Sequence, residues 1–479
     1  MQDSKIIRLL KSLDSSEMRL LHKYLRSPFF NYSTAVLSLY EYLRKFHPSF
    51  SGPDLERKQV YSKIFPGKSY RDKTFRNLLH EFLGHIEHFM IQLQVRNDEY
   101  VSKKLLMEAQ ARRDLFPFFV QRNQELIREL EERPYRDIFI YRELTDLYEQ
   151  FYFHPSTDKL EEGEKALRAM LDNLDRYYIA DKLRLANEVF TRQKMVQMEL
   201  SISLVDPILE EVRQSDLEIP LLTFYAALYR LNRNGEESLF LQLKEQLLKQ
   251  AGQLSFSDRQ GGLLQLLNYS IRRGNRGETA FLQEAFDLYG YGLEEQLLFE
   301  NGKLTDATFT NISFLGGKIG ALDQVEIFIR DNVKFLDEHI RTDAETLAWA
   351  FLFYKQQAYE KVDDLIGNTT FASTFYSLRA RSILIRSLFE LFLNDESYYD
   401  LMVARIEAFE KYLRRKEITD AQRDPYLGLV KFLKKMANLI IRRSFHGEEV
   451  EKLEVRIEAS PTVINRDWLL EQIKRATKH

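Results

Sequence analysis

Only 19 glycines and 11 prolines interrupt a chain of 479 residues, roughly 4% and 2% where ordinary proteins use about 7% and 5%. Glycine weakens a helix through backbone entropy, and proline removes a donor and clashes with the preceding turn. A loop-rich β-protein needs both at its many turns, whereas long helices need them only at their ends. The expected fold is therefore all-α. Hydrophobic residues at 44% and charged residues at 29% give such a chain enough apolar surface for a large core and set it apart from disordered sequences. The 34 Phe and 25 Tyr, against 2 Trp, are read as rings filling helix–helix contacts rather than lining an aromatic groove.

Periodicity places the helices. Phe75, Leu79, Phe82, Ile86, Phe89 and Leu93 fall at three- and four-residue steps, which predicts one helix over about Tyr70–Arg96. Before it, turns marked by Pro28, Pro48, Pro53 and Pro66-Gly67 divide residues 1–96 into four or five helices. Capping boxes are expected at Asp14/Glu17, Ser215/Glu218, Thr342/Glu345 and Thr419/Gln422, and Asp424-Pro425 reads as a further helix start. Beyond residue 97 the pattern becomes helical hairpins. Residues 308–320 precede 321–329, and residues 344–355 precede 356–366. Val325 and Val362 take matching places 37 residues apart, with Ala280 proposed for the same place 45 residues before Val325. Such periods fit an irregular α-solenoid of helical hairpins.

The hairpin at 308–329 resembles a tetratricopeptide repeat. Phe309, Ile312, Gly320, Val325 and Ile329 stand where that family has its Trp, Leu, Gly, small Ala and aromatic. Val replaces the small residue, and the next hairpin has Gln357 in place of the turn glycine. Over its length the chain also resembles an uncharacterised bacterial family of tetratricopeptide-like helical-repeat proteins. The residues concerned are 27–31 (SPFFN), 64–68 (IFPGK) with 75–79 (FRNLL), Thr310-Asn311, 412–416 (YLRRK) and Trp468-Leu469-Leu470. The resemblance implies a fold and no activity.

Charge divides the chain into three. Residues 1–96 carry 16 Lys/Arg against 9 Asp/Glu, net +7, and residues 411–479 carry 16 against 10, net +6. Between them, residues 97–410 carry 37 against 53, net −16. The expected organisation is a basic, helix-turn-helix-like N-terminal domain over 1–96, an acidic hairpin solenoid over 97–410 and a basic helical cap over 411–479. Arg19, Lys23 and Arg26 fall at helical spacing opposite Leu21, Tyr24 and Leu25. Lys431, Lys435 and Arg442 form a second stripe outside Phe432, Met436 and Leu439, preceded by the cluster Arg414, Arg415 and Lys416. These nine residues are the candidate contacts for an acidic partner or a polyanion, against the reading of an ordinary solvated face.

Catalytic and cofactor chemistry finds no motif. The absence of Cys removes disulfides, thiolate metal sites and cysteine catalysis. Gly67-Lys68-Ser69 resembles the end of a P-loop, but Ser62 stands where that loop needs glycine and Phe65-Pro66 breaks the run of amides. Glu81, His85 and His88 share one side of the 70–96 helix with Gly84 between them; a metal site is weighed against a polar flank on a close helix contact, and the flank is preferred. No cofactor is expected. The N-terminus has no apolar signal core, and no run approaches the roughly 18 apolar residues of a membrane span, so a cytoplasmic location is expected. The expected function is a non-enzymatic protein-interaction scaffold or adaptor on a helical-repeat surface. The alternative is a nucleic-acid-associated protein binding through its basic N- and C-terminal helices, and an enzyme without a recognisable motif stands third. The sequence sets no oligomeric state.

Overall fold

The computed structural model describes residues 4–196, 200–214, 219–249, 251–460 and 462–477. Among them the chain forms 23 α-helices and one minimal β-hairpin, Phe299–Glu300 with Lys303–Leu304, so the all-α expectation is met. It divides into two compact units. One comprises Met1–Arg133 with Phe139–Tyr177, the other Pro134–Ile138 with Tyr178–His479.

The first unit opens with five helices: α1 (Lys5–Ser12), α2 (Ser15–Arg26), α3 (Thr34–Leu43), α4 (Arg57–Ile64) and α5 (Asp72–Asn97). They share one core in which α5 supplies Phe75, Phe82, Ile86 and Phe89. Leu21 and Leu25 of α2 and Val36, Leu39 and Leu43 of α3 meet that stripe, and Leu79 and Leu93 close its edge half-buried. The α2 start is the expected capping box. Asp14 Oδ1 accepts from the Ser16 and Glu17 amides at 2.6 and 2.8 Å, and Glu17 Oε2 accepts from the Asp14 amide at 2.9 Å. The unit continues through α6 (Glu99–Ala111), α7 (Phe116–Glu131) and α8 (Ile138–Phe153). Here Lys104 Nζ bridges Glu143 and Asp146 at 2.6 and 2.7 Å, and the Tyr100 hydroxyl donates to the same Glu143 at 2.9 Å. Burial and the Glu143 charge together push the Tyr100 phenol well above its ordinary value.

Helix α9 (Glu161–Val196) is followed by α10 (Val205–Gln214), α11 (Pro220–Asn234) and α12 (Glu237–Lys249). Within the second unit, fully buried Asn187 donates to the Leu183 and Tyr225 carbonyls and accepts from Asn232 at 2.9 Å. Hairpins then follow in succession: α13 (Phe256–Asn275) with α14 (Ala280–Glu294), α15 (Asp306–Ile319) with α16 (Leu322–Asn332), and α17 (Glu338–Lys355) with α18 (Tyr359–Gly367). The unit ends with α19 (Thr374–Asn394), α20 (Tyr399–Arg415), α21 (Asp420–Ile441), α22 (Glu448–Glu458) and α23 (Arg466–Ala476). Each hairpin packs internally, and α15 also packs on α17, α17 on α19 and α19 on α21.

Several expectations shift in register. Gly320 and Gln357 turn their hairpins in the left-handed region, at φ 84° and 61°. In the preceding hairpin, however, Ala280 is exposed, and Leu282 takes the place facing Gly274 that Val325 takes facing Gly316. The box at Thr342/Glu345 lies inside α17, which begins a turn earlier behind Asp337. Buried Asp343 is engaged instead across the chain, accepting from the Ala372 and Ser373 amides at 3.2 and 2.7 Å. At Thr419 the amide donates to Gln422 Oε1 at 3.4 Å and the helix starts there, so Pro425 sits in the second turn of α21 rather than at its start. The pair Ser215/Glu218 lies outside the described residues.

Two devices hold the second unit together. Glycines on inner faces replace side chains at close approaches: a Cβ on Gly316 would overlap Val325 and Phe286, and one on Gly317 would come within 2.5 Å of Phe351. The last helix is latched by Glu390, 3% exposed on α19, which accepts from Trp468 Nε1 at 3.0 Å and Arg475 Nη1 at 2.7 Å.

Glycine-to-alanine changes separate packing from propensity. Gly316→Ala is expected to lower stability by about 1–3 kcal/mol through overpacking. Gly261→Ala, where nothing lies within 4 Å, is expected to raise it by up to about 1 kcal/mol; urea unfolding of both variants reads the difference. At the latch, Arg475→Ala leaves a buried carboxylate one donor short and is expected to cost about 1–3 kcal/mol. Adding Glu390→Gln to that variant should recover part of the loss, measured by the same unfolding curves.

Candidate functional site

Six of the nine candidate residues line two basic grooves, one in each unit. In the second unit α20 and α21 pack side by side, and their outer faces bound a groove of ≈ 710 Å³. Arg414 enters from α20, Lys431, Lys434 and Lys435 from α21, and Arg442 from the residue that caps the end of α21. The α21 side chains project there because Phe432, Leu433, Met436 and Ala437 are spent on the core. Leu439, expected in that core, is half-buried and lines the groove instead. A contiguous depression of ≈ 400 Å³ adds Lys411 and Arg415, together with Glu407.

One carboxylate organises this cluster. Glu410 accepts from Lys434 Nζ at 2.6 Å and from Arg414 Nη2 at 2.8 Å. The Lys434 ammonium, then the Arg414 guanidinium, hold its carboxyl below the usual carboxylate range. Glu410 thereby fixes two cations at the groove wall, while Lys431 and Arg442 stay exposed and Lys435 half-buried. Lys416, exposed at the end of α20, lies outside both depressions. Lys434 and Lys411 were not among the candidates; the i, i+3 spacing of Lys434 from Lys431 was the available signal.

In the first unit, Arg19 and Lys23 of α2 line a groove of ≈ 450 Å³ with His22, Arg44, Lys45 and His47. Arg26 is exposed on the same helix but outside that groove. Arg44 and Lys45 follow α3 in a short 3₁₀ turn, beyond the reach of a helical-stripe argument. His22 stands between charges, with Nε2 3.2 Å from Glu41 Oε1 and Nδ1 3.4 Å from Arg44 Nη1. Just past Arg26 the loop bears Phe29 and Tyr32, 81% and 87% exposed. Rings of this kind beside a cation are the side chains that anchor protein interfaces, and the aromatic count by itself gave no sign of them.

Gly67, at φ 74°, turns the connection from α4 to α5, and no strand precedes it. His85 packs edge-on to Tyr24, and burial pulls its imidazole below the ordinary value. Among the described residues no three His, Asp or Glu side chains are grouped to hold a metal. Gly84 has nothing within 4 Å of its Cβ position, so the close helix contact expected beside His85 does not fall there. Around the α4–α5 turn, Lys68, Arg71 and Lys73 are exposed, whereas Arg76 pairs with Asp72 at 2.9 Å. No described helix is long and apolar enough to cross a membrane.

No protein-family model matches this chain, and no curated protein matches it significantly.

The Glu410 clamp makes a pH prediction. A folded-state carboxyl held low stabilises the fold above its unfolded value and loses that contribution as pH falls through the folded value. NMR titration should place the Glu410 carboxyl below the ordinary glutamate range, and Lys434→Ala should move it upward. Glu410→Gln should cost under about 1 kcal/mol, since the pair is partly exposed.

Proposed function

We propose that this protein is a non-enzymatic interaction scaffold or adaptor, whose basic groove between α20 and α21 docks an acidic segment of a protein partner. The observation that carries the reading is the convergence of Arg414, Lys431, Lys434, Lys435 and Arg442 on one groove whose sole acidic lining residue is Glu410. Arginine and lysine arranged this way recognise carboxylates, steer an acidic partner and gain most at low ionic strength. The first-unit groove, with the exposed Phe29 and Tyr32 nearby, is a second docking point in this reading.

An irregular, tetratricopeptide-like α-solenoid is the arrangement we propose for the hairpins. It is supported by the packing of α15 on α17, α17 on α19 and α19 on α21, in which the first helix of each unit meets the first helix of the next. The resemblance to bacterial helical-repeat proteins and a cytoplasmic place of action belong to the same proposal. A nucleic-acid partner is the second reading, favoured by the exposed cations at the α4–α5 turn and in the first-unit groove.

Charge reversal tests both. Lys431→Glu with Lys435→Glu, and separately Arg19→Glu with Lys23→Glu and Arg26→Glu, should each change stability by no more than about 0.5 kcal/mol per site. Each variant should lose a protein that co-purifies with the native chain, most clearly at low salt where screening is least. A partner retained by both variants contradicts the proposal. Loss of nucleic-acid binding with a steep salt slope, and no protein partner, establishes the second reading instead.

A further inference from the structure

A cleft of ≈ 510 Å³ opens inside the second unit, between α13, α14, α15, α17, α19 and α21. Its size is that of a small-molecule site. Three cations line it: Lys318 from α15 and Arg379 and Arg386 from α19. No carboxylate is among its lining residues. That is unexpected for its place in the chain, because residues 97–410 carry 53 acidic against 37 basic side chains. Three cations in a wall that contains no carboxylate give the cleft a local excess of positive potential open to a ligand.

The cations are held in place by packing. The Arg386 guanidinium lies 4.8 Å from the centre of the Tyr354 ring, and its Nε donates to the Ser382 carbonyl at 3.3 Å. The Arg379 guanidinium lies 4.1 Å over the Phe375 ring. Nearby Lys355 is pulled below its ordinary value by desolvation and then by Arg386 and Lys318, with Glu471 acting in the opposite direction. Glu390, one turn along α19 from Arg386, accepts from Trp468 and Arg475 and offsets part of the Arg386 charge from outside the cleft wall.

The rest of the lining favours a ligand with a flat apolar part. Phe314, Phe351 and Tyr426 are among its lining residues, the first two packed edge to face with ring centres 4.5 Å apart. Asn275 and Asn311 add amides that can both donate and accept. One end is closed by the segment before α23: Val463 seats against Gly428, the Ile464 amide donates to the Pro425 carbonyl at 3.4 Å, and Asn465 Nδ2 donates to Ser382 Oγ at 3.2 Å. Guanidinium groups match phosphate oxygens in pairs, and aromatic walls match a planar ring.

We propose that this cleft binds a phosphate-bearing small molecule with a planar ring, of the nucleoside phosphate class, its phosphates on Lys318, Arg379 and Arg386 and its ring against the aromatic lining. The site is separate from the basic grooves and stands whether or not they dock a partner.

Isothermal titration of the full chain with the four ribonucleoside mono- and triphosphates, inorganic pyrophosphate and the free nucleosides tests it. The expected result is saturable binding of at least one nucleotide, one per chain, tighter than pyrophosphate or nucleoside alone. Lys318→Ala, at an exposed position, and Arg379→Ala should each weaken it about tenfold or more, with unchanged circular dichroism. Lys431→Glu with Lys435→Glu, in the other groove, should leave it intact. Absence of any nucleotide binding, pyrophosphate binding as tight as the best nucleotide, or binding indifferent to both cleft variants would each overturn the proposal.

Discussion

Gly316 and Gly317 stand next to each other on α15 and face different neighbours. Gly316 admits Val325 of α16 and Phe286 of α14, and Gly317 admits Phe351 of α17. One helix is thus keyed to the hairpin before it, to its own partner helix and to the hairpin after it. A side chain at either position would separate those helices, and interiors packed as densely as this do not absorb the extra volume. The same device recurs where Gly274 receives Leu282 and Gly428 receives Val463. These contacts set the helix spacing around the cleft.

Packing also decides which charges are free. Along α21 the apolar face goes inward as Leu429, Leu433, Met436 and Ala437. The lysines between them have no choice but the outer surface, where α20 brings Arg414 beside them. Glu410 converts part of that crowding into an ordered wall, because its carboxylate offsets the mutual repulsion of Arg414 and Lys434 at the point of closest approach. In the cleft no carboxylate lines the wall beside Lys318, Arg379 and Arg386, and the charges of Glu390 and Glu471 reach Arg386 and the nearby Lys355 only from outside it.

How much of this could be read from the residues follows the range of the interactions. The α5 stripe is local and one-sided, so its period gave a helix within two residues of the observed Asp72–Asn97. The turns at Gly320 and Gln357 were equally local. Ala280 was misplaced because hairpin alignment by spacing does not see that Leu282 fills the gap at Gly274. Thr342/Glu345 has the letters of a cap but lies where Asp337 has already begun the helix. The basic stripes were visible on their own helices, yet Arg414 and Lys431 meet only through the packing of α20 on α21. Arg386 gave no signal, since it interrupts a helix whose neighbours Ile385, Ser387 and Leu388 are all buried.

The central claim is that the α20–α21 groove holds acidic side chains of a partner, and zero-length carbodiimide coupling reports it most directly, because it joins only lysines and carboxylates already in contact. With the native complex treated at low salt and mapped by mass spectrometry, the account predicts bonds from Lys431, Lys434 or Lys435 to Asp or Glu of the partner. Within the chain, Lys434 and Glu410, 2.6 Å apart, provide the internal standard for the reaction. If that internal bond forms while the partner couples only at other lysines, the groove is not where the partner binds and the account is contradicted.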